Sequence, residues 1–401
     1  MQTIQVDIAI LGGGIAGLWL LNCARNAGYN AVLFEQAALG SGQTVASQGM
    51  IHGGVKYTLT GALSGASEAI ADMPAHWQRC LQGKGDVDLR GTRVLSEHFY
   101  MWSSQSVLSK ATTFLASKAL RGRVDSVQPK DYPPAFCHEK FRGAVYRLVD
   151  MVIDAPSLLD TLRQRCADFV FQVGDQALRV EKNQNGADIF LSHNGVDILL
   201  RSQLCVLAAG KGNGELLQQL AVKNIAMQTR PLQQVMVKHL QLSALYAHCV
   251  GSDSKPRLTI SSHTINDEVV WYLGGQLAEE GVGISSSELI LRAKKELEIL
   301  FPQIHWNEAQ WSTYCVDRAE PKQPGLLRPD NAWLSACDDL SRCVVAWPTK
   351  LTLAPNLGAL LMNYLHAQNI SPCFPDGLPN DWPCMTEVAT TPWCAAVWQK
   401  V

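Results

Sequence analysis

Residues 4–35 read IQVDIAILGGGIAGLWLLNCARNAGYNAVLFE, and this stretch decides the fold. The run from Ile4 to Leu11 is almost continuously apolar, as a strand covered on both faces of a parallel sheet must be. Gly12-Gly13-Gly14-Ile15-Ala16-Gly17 follows and fits G-x-G-x-x-G. Gly12 permits the tight turn out of the strand. Gly14 lets the backbone approach a pyrophosphate, and Gly17 lets helix and sheet pack closely. The phosphates then sit on free N–H groups where the helix starts, at Ile15 and Ala16. LWLLNCARNAGY has the apolar period of a helix, and AVLFE at 31–35 reads as a second buried strand. Glu35 ends that strand 18 residues beyond Gly17, close to the spacing of about 20 at which an acidic side chain takes the ribose hydroxyls. Gln36 is assigned to the cofactor with it. The unit is a dinucleotide site, and NAD and FAD both satisfy its local physics.

The chain has 401 residues, beyond the size at which a single core stops growing, so two domains are expected. With 36 acidic against 34 basic side chains, the formal charge is −2. No field holds a polyanion, and nucleic acid is not expected as a partner. Global disorder is excluded because 47% of the residues are hydrophobic. Twelve cysteines are scattered without a C-x-x-C pair. They read as reduced thiols of a cytoplasmic protein, and no metal ligands are assigned. The chain enters a strand pattern at once, with no basic, signal-like leader. Residues 351–375 carry no Lys, Arg, Asp or Glu, but Pro355, Asn356, Gly358, Asn363 and Pro372 interrupt them. No integral membrane segment is expected, and peripheral contact with a membrane is left open.

The chain beyond residue 35 separates FAD from NAD. A simple dehydrogenase continues in alternating strand–helix units. Here residues 39–57, LGSGQTVASQGMIHGGVKY, form a glycine-rich loop. Helix patterns follow at 62–82 and 107–120, and Pro129, Pro133 and Pro134 mark a break. Residues 144–153 read as strand, and Pro156 opens a helix. Hairpins fill 168–206, ending in the short buried strand Leu204–Gly210. Longer strands occupy 225–320 around a helix at 286–300. A strand at 343–347 and a helix at 356–368 precede a tail rich in Pro, Trp and Cys.

Four of these segments together resemble the FAD-dependent oxidoreductases of the D-amino-acid oxidase superfamily. They are residues 6–35, the loop GSGQTVASQGMIHGGVKY, Leu204–Gly210, and Val345-Ala346-Trp347-Pro348-Thr349-Lys350-Leu351-Thr352. The loop is similar to that of the glycerol-3-phosphate dehydrogenase branch. The last segment departs from the family pattern, which more commonly has glycine where Trp347 and Pro348 stand. The resemblance implies an α/β and α+β chain with a discontinuous Rossmann-type FAD-binding domain, assembled from 1–75, 140–220 and 325–370. A mixed, largely antiparallel substrate domain takes 76–139 and 221–324, and 371–401 is a C-terminal tail. It also implies hydride removal to flavin N5 from a carbon bearing an amine or hydroxyl. Oxygen, a quinone or another electron acceptor then reoxidises the flavin.

Ser47, Gln48, Gly49 and Met50 are assigned to the flavin side, as are Ala209 and Gly210 on the returning strand and Lys350, Leu351 and Thr352 near the C-terminus. His52 is a catalytic or flavin-tuning candidate, with FAD expected to be non-covalent. Arg318, in Tyr314–Pro321, offers a forked, permanent charge for a small anionic substrate. Surface pairing with Asp317 or Glu320 is the plain alternative. Tyr272 is a further catalytic candidate, and His263 is a substrate-side candidate more economically read as a sheet residue. Lys56 stands where an arginine is usual in the glycerol-3-phosphate pattern. The tail tryptophans Trp382, Trp393 and Trp398 dock on the body or mediate self-association. The expected function is FAD-dependent oxidation of a small amino or hydroxy acid. Alternatives are a glycerol-3-phosphate-like polyol phosphate dehydrogenase, an NAD-dependent reductase, and a non-catalytic interaction or assembly factor.

Overall fold

A computed structural model describes residues 1–54, 70–103, 124–174, 177–193, 195–250, 256–324, 329–376 and 382–401. Lys56 and the helix pattern at 107–120 lie outside these residues. Of the pattern at 62–82, a helix over Met73–Leu81 is described.

The opening stretch folds as read: β1 (Gln2–Leu11), α1 (Ile15–Asn26), β2 (Ala31–Glu35). β1 lies parallel to β2 on one side and to Val196–Leu207 on the other. Val170–Gln172 extends the sheet beyond β2, and Leu340–Trp347 extends it beyond Val196–Leu207, both in parallel. An antiparallel hairpin, Leu178–Lys182 and Ala187–His193, pairs with the first half of Val196–Leu207. Strands far apart in sequence therefore carry their C-terminal ends to one edge, where ligands of such sheets bind. α1, Ala155–Arg165 and Ala354–Ala367 cover one face with Trp19, Leu158 and Leu357. The other face, which carries Val6, Val32 and Leu207, is covered as well, by Leu217 and Trp382. Double coverage is why the strands read as unbroken apolar runs.

Among the described residues the second sheet has nine strands. Gln310–Pro321, Met227–Lys238, Glu268–Gly274 and Pro256–Ile265 form its antiparallel centre. Ser286–Leu300 packs Leu289, Ala293 and Leu297 against Val235, Val237 and Trp271, and the Ser285 hydroxyl caps the helix by accepting from the Glu288 N–H at 3.2 Å.

One expectation shifts. The strand pattern at 144–153 breaks at Asp150 into Ala144–Leu148, which joins the second sheet, and Met151–Ile153, which does not. Met73, Trp77, Cys80, Val87 and Leu89 pack in the core beneath the first sheet, with Trp77 4.9 Å from Trp19. The helix Met73–Leu81 thus spans residue 76, and Ala144–Leu148 of the second sheet follows residue 140. The tail docks on its own chain. Trp382 packs on Phe34 and Phe171, Leu39 donates to the Glu387 carbonyl, and Trp393 stacks 3.5 Å from His263. Gln399–Lys400 adds an edge strand beside Gln310–Pro321. Among the described residues no helix is long and apolar enough to cross a membrane.

Candidate active site

A continuous cavity of about 1600 Å³ runs along the C-terminal edge of the first sheet and under the second. At one end β1 turns at Gly12, whose φ of +114° favours glycine. A Cβ there would stand 2.6 Å from the Ala209 Cα. Gly14, Ile15 and Ala16 line the cavity, and α1 starts with no side-chain cap. Its leading N–H groups are therefore open to an anion, apart from that of Ile15, which donates to Thr44 Oγ1 at 3.2 Å. Gly17 does not line the cavity. Any Cβ at Gly17 would collide with the Gly12 carbonyl, so its role is the close helix–turn packing. The Glu35 carboxylate accepts from the N–H groups of Gly13, Gln36 and Ala37, the last two at 2.9 Å. A carboxylate has about four acceptor positions, so ribose hydroxyls still find room.

Farther in, Ser47, Gln48, Gly49, Met50 and His52 meet Ala209, Gly210, Lys350, Leu351 and Thr352 around the same cavity. Gly49 has a φ of +69° and no space for a side chain against the Ile153 carbonyl. Gln48 Nε2 donates to the Tyr272 carbonyl at 3.0 Å. Thr352 Oγ1 accepts from the His52 N–H at 3.1 Å and donates to the Met50 carbonyl at 3.2 Å, joining the loop to the C-terminal segment. Lys350 lines the cavity, and its ammonium donates to the Asp330 carbonyl at 2.9 Å. The atypical Trp347 is 1% exposed and donates its indole N–H to the Gly210 carbonyl at 3.1 Å. The positive φ of this segment falls on Thr349, at +59°, an uncommon conformation for a residue with a Cβ.

His52 is not alone. Its Nδ1 lies 3.1 Å from Asp150 Oδ2, and the other carboxylate oxygen accepts the Gly53 N–H at 2.8 Å. Asp150 is fully buried. It sits in the turn that breaks 144–153, 98 residues from its partner. An acidic residue inside an apolar strand pattern is the one sequence signal that could have found it.

The opposite wall comes from two neighbouring strands. Arg230 pairs with Arg318, Leu232 with Val316 and Gln234 with Tyr314, and all six line the cavity. Alternation along a strand puts every second residue on one face, which is why Arg230, Leu232 and Gln234 line it together, while residues 314–319 of the neighbouring strand line it without a gap. Arg230 forks onto the buried Glu320, with Nη2 2.9 Å from Oε2, and Gln228 donates to the same carboxylate at 2.8 Å. Asp317 pairs with Lys211. Both acidic neighbours in sequence are thus bound to other cations. Arg318 donates through Nε to the Arg230 carbonyl at 3.1 Å and has Glu279 3.9 Å from Nη1.

Tyr272 does not reach the cavity. It is fully buried, and its hydroxyl donates to Gln234 Oε1 at 2.6 Å. Burial pushes its phenol well above the ordinary range, so it works as a neutral donor that orients Gln234. His263 is also off the cavity, stacked on Trp393, and burial pushes its imidazole down to about 3. Thr44, Asp150, Arg230 and Gln234 are site residues that the sequence pattern did not single out.

A family profile described as FAD dependent oxidoreductase matches residues 7–337. This chain belongs to that family. A probable FAD-dependent oxidoreductase of Pseudomonas aeruginosa is 47% identical over 381 residues, covering 94% of this chain and 95% of the relative. The crystal structure of the FAD dependent oxidoreductase from that organism superposes with a TM-score of 0.82 at 41% identity, over 98% of both chains. Glycine oxidase from Geobacillus kaustophilus superposes with a TM-score of 0.66 at 17% identity, over 92% of this chain and 96% of that one. L-α-Glycerophosphate oxidase from Mycoplasma pneumoniae, with FAD bound, gives 0.63 at 12%, over 90% and 95%. The last two speak for the fold alone.

The residues of this FAD-dependent oxidoreductase fit the cofactor. The glycine turn and open helix start suit a pyrophosphate, and Glu35 suits a ribose. Ser47 Oγ, on the cavity wall, is buried without a hydrogen-bond partner among the described residues, as expected of a group that a ligand satisfies.

Proposed function

We propose that this FAD-dependent oxidoreductase removes a hydride from the amine- or hydroxyl-bearing carbon of a small amino or hydroxy acid. The observation that carries the reading is Arg318. It stands on the cavity wall beside Glu279, 3.9 Å from its Nη1, and it shares the cavity with His52.

Bound FAD supplies the two-electron acceptor, and the chain supplies binding, orientation and proton handling. Arg318 holds the substrate carboxylate with its fork. Leu232 and Val316 give that wall an apolar patch that keeps water from the reacting carbon. Gln234, oriented by Tyr272, offers an amide to the substrate's polar group. His52, its ring fixed by Asp150, takes the proton from the hydroxyl or ammonium, a step that oxidation of an alcohol needs most. With Nδ1 engaged by Asp150, His52 acts here as a base beside a non-covalent cofactor. Oxygen or a quinone accepts the electrons afterwards, and the setting is cytoplasmic.

The polyol phosphate reading draws on the IHGGVKY loop, but Arg230 is bound to Glu320 and Arg318 has the Glu279 carboxylate beside it, a setting less suited to a dianion. Anaerobic mixing with panels of amino acids, hydroxy acids and glycerol phosphate tests the proposal. Loss of the flavin's visible colour with an amino or hydroxy acid supports it. Bleaching by glycerol phosphate alone, or by nothing in a broad panel, refutes it.

A further inference from the structure

Outside the cavity, the helix Met73–Leu81 carries His76 and Cys80 four residues apart, hence on one face. The turn after it brings Asp86 back to that face. His76 Nε2 lies 2.6 Å from Asp86 Oδ1, and Cys80 Sγ lies 3.2 Å from the same oxygen. One ligand atom from each of the three falls within 4.8 Å of the others. Cys23 Sγ, from the last turn of α1, is 3.9 Å from Asp86 Oδ2. Gly85 has no room for a Cβ against Cys80 Sγ, so the turn can close over the thiol only with glycine there. None of these residues lines the cofactor cavity.

We propose that His76, Cys80 and Asp86 form a binding site for a zinc-class divalent cation, with Cys23 or a water as fourth ligand. The donor set is nitrogen, sulfur and oxygen, which suits zinc and its neighbours and not the hard cations magnesium and calcium. Bond lengths of about 2.0 Å to N and O and about 2.3 Å to S give tetrahedral edges of about 3.3–3.8 Å. The observed separations of 2.6, 3.2 and 3.9 Å surround that range, so the cation replaces hydrogen bonds with small side-chain shifts. Cys80 lies in the last turn of its helix and Cys23 near the end of α1, where helix dipoles favour positive charge. His76 and Asp86 are 26% and 34% exposed at their side chains, which leaves a path from solvent. The absence of C-x-x-C spacing hid this site, because its ligands come from a helix face, a turn and a second helix. A bound cation would tie the dinucleotide-binding helix to Met73–Leu81.

The test uses the FAD-bound protein after chelator treatment and desalting, titrated with Co²⁺. One equivalent should produce d–d bands in the red, beyond the flavin's absorption, and Zn²⁺ should displace them. His76→Gln and Asp86→Asn should each weaken Zn²⁺ binding at least about tenfold, measured against a chromophoric chelator, with FAD content unchanged. Zn²⁺ should raise Tm in the unmodified protein and not in His76→Gln. No saturable binding by the unmodified protein overturns the proposal. So does binding that both variants retain at full strength. Both substitutions fall on partly exposed side chains, so the test does not depend on replacing the buried Cys80.

Discussion

Arg318→Ala removes the charge assigned to substrate and leaves the rest of its wall paired. The side chain is 19% exposed, donates to the Arg230 carbonyl and has Glu279 at 3.9 Å. A hydrogen bond to a charged group is worth about 1.5–3 kcal/mol, so kcat/KM for carboxylate-bearing substrates should fall about 10- to 150-fold. FAD content and Tm should stay near those of the parent. Arg318→Lys should recover part of the loss, because it keeps the charge without the planar fork. Glu320→Gln provides the contrast. It breaks the buried pairing with Arg230 and should cost stability, about 3 kcal/mol, visible as a lowered denaturant midpoint. The assays are anaerobic flavin reduction across substrate concentrations, flavin absorbance per protein, and denaturation. If Arg318→Ala reduces its flavin with unchanged kcat/KM, or sheds FAD, Arg318 is not the carboxylate clamp.

Gly17→Ala should yield protein that loses FAD on gel filtration, since the added methyl meets the Gly12 carbonyl; yellow, wild-type-like protein would contradict this. Asp150→Asn and His52→Gln should each slow substrate reduction about 100-fold, and the double variant no more than either, because the two act as a unit. Additive losses would count against the pair. His263 couples stability to acid. Its folded pKa, held at about 3 by burial, lies below the unfolded value of about 6.5, so the unfolded chain binds more protons between them. Stability is full above the unfolded value and is lost as pH falls below it, by about 2 kcal/mol at pH 5. His263→Phe, which keeps the ring against Trp393, should flatten that slope; an unchanged urea midpoint profile between pH 7 and 5 would refute it.

Much of the cofactor site was legible before any coordinates. Gly12, Gly14, Gly17 and Glu35 belong to one contiguous stretch, and their conformational demands are local. The later segments were found by resemblance, and each lines the cavity as a group. Tyr272 was misplaced because strand alternation does not say which face meets the cavity. In the fold it lies beneath Gln234, under a tail whose docking no short-range pattern encodes. Trp347 looked anomalous for the family, and its hydrogen bond to the Gly210 carbonyl supplies a reason for it.

By itself, then, the sequence determined the strand–turn–helix–strand unit and its dinucleotide chemistry, since burial period and glycine conformation act over a few residues. Only the tertiary structure decided which distant groups meet around the cavity. Asp150 reaches His52 across 98 residues, and Arg318 faces Arg230 across 88. Those meetings depend on strand register between distant segments. Register is set by packing whole sheets and leaves no mark at the paired positions themselves.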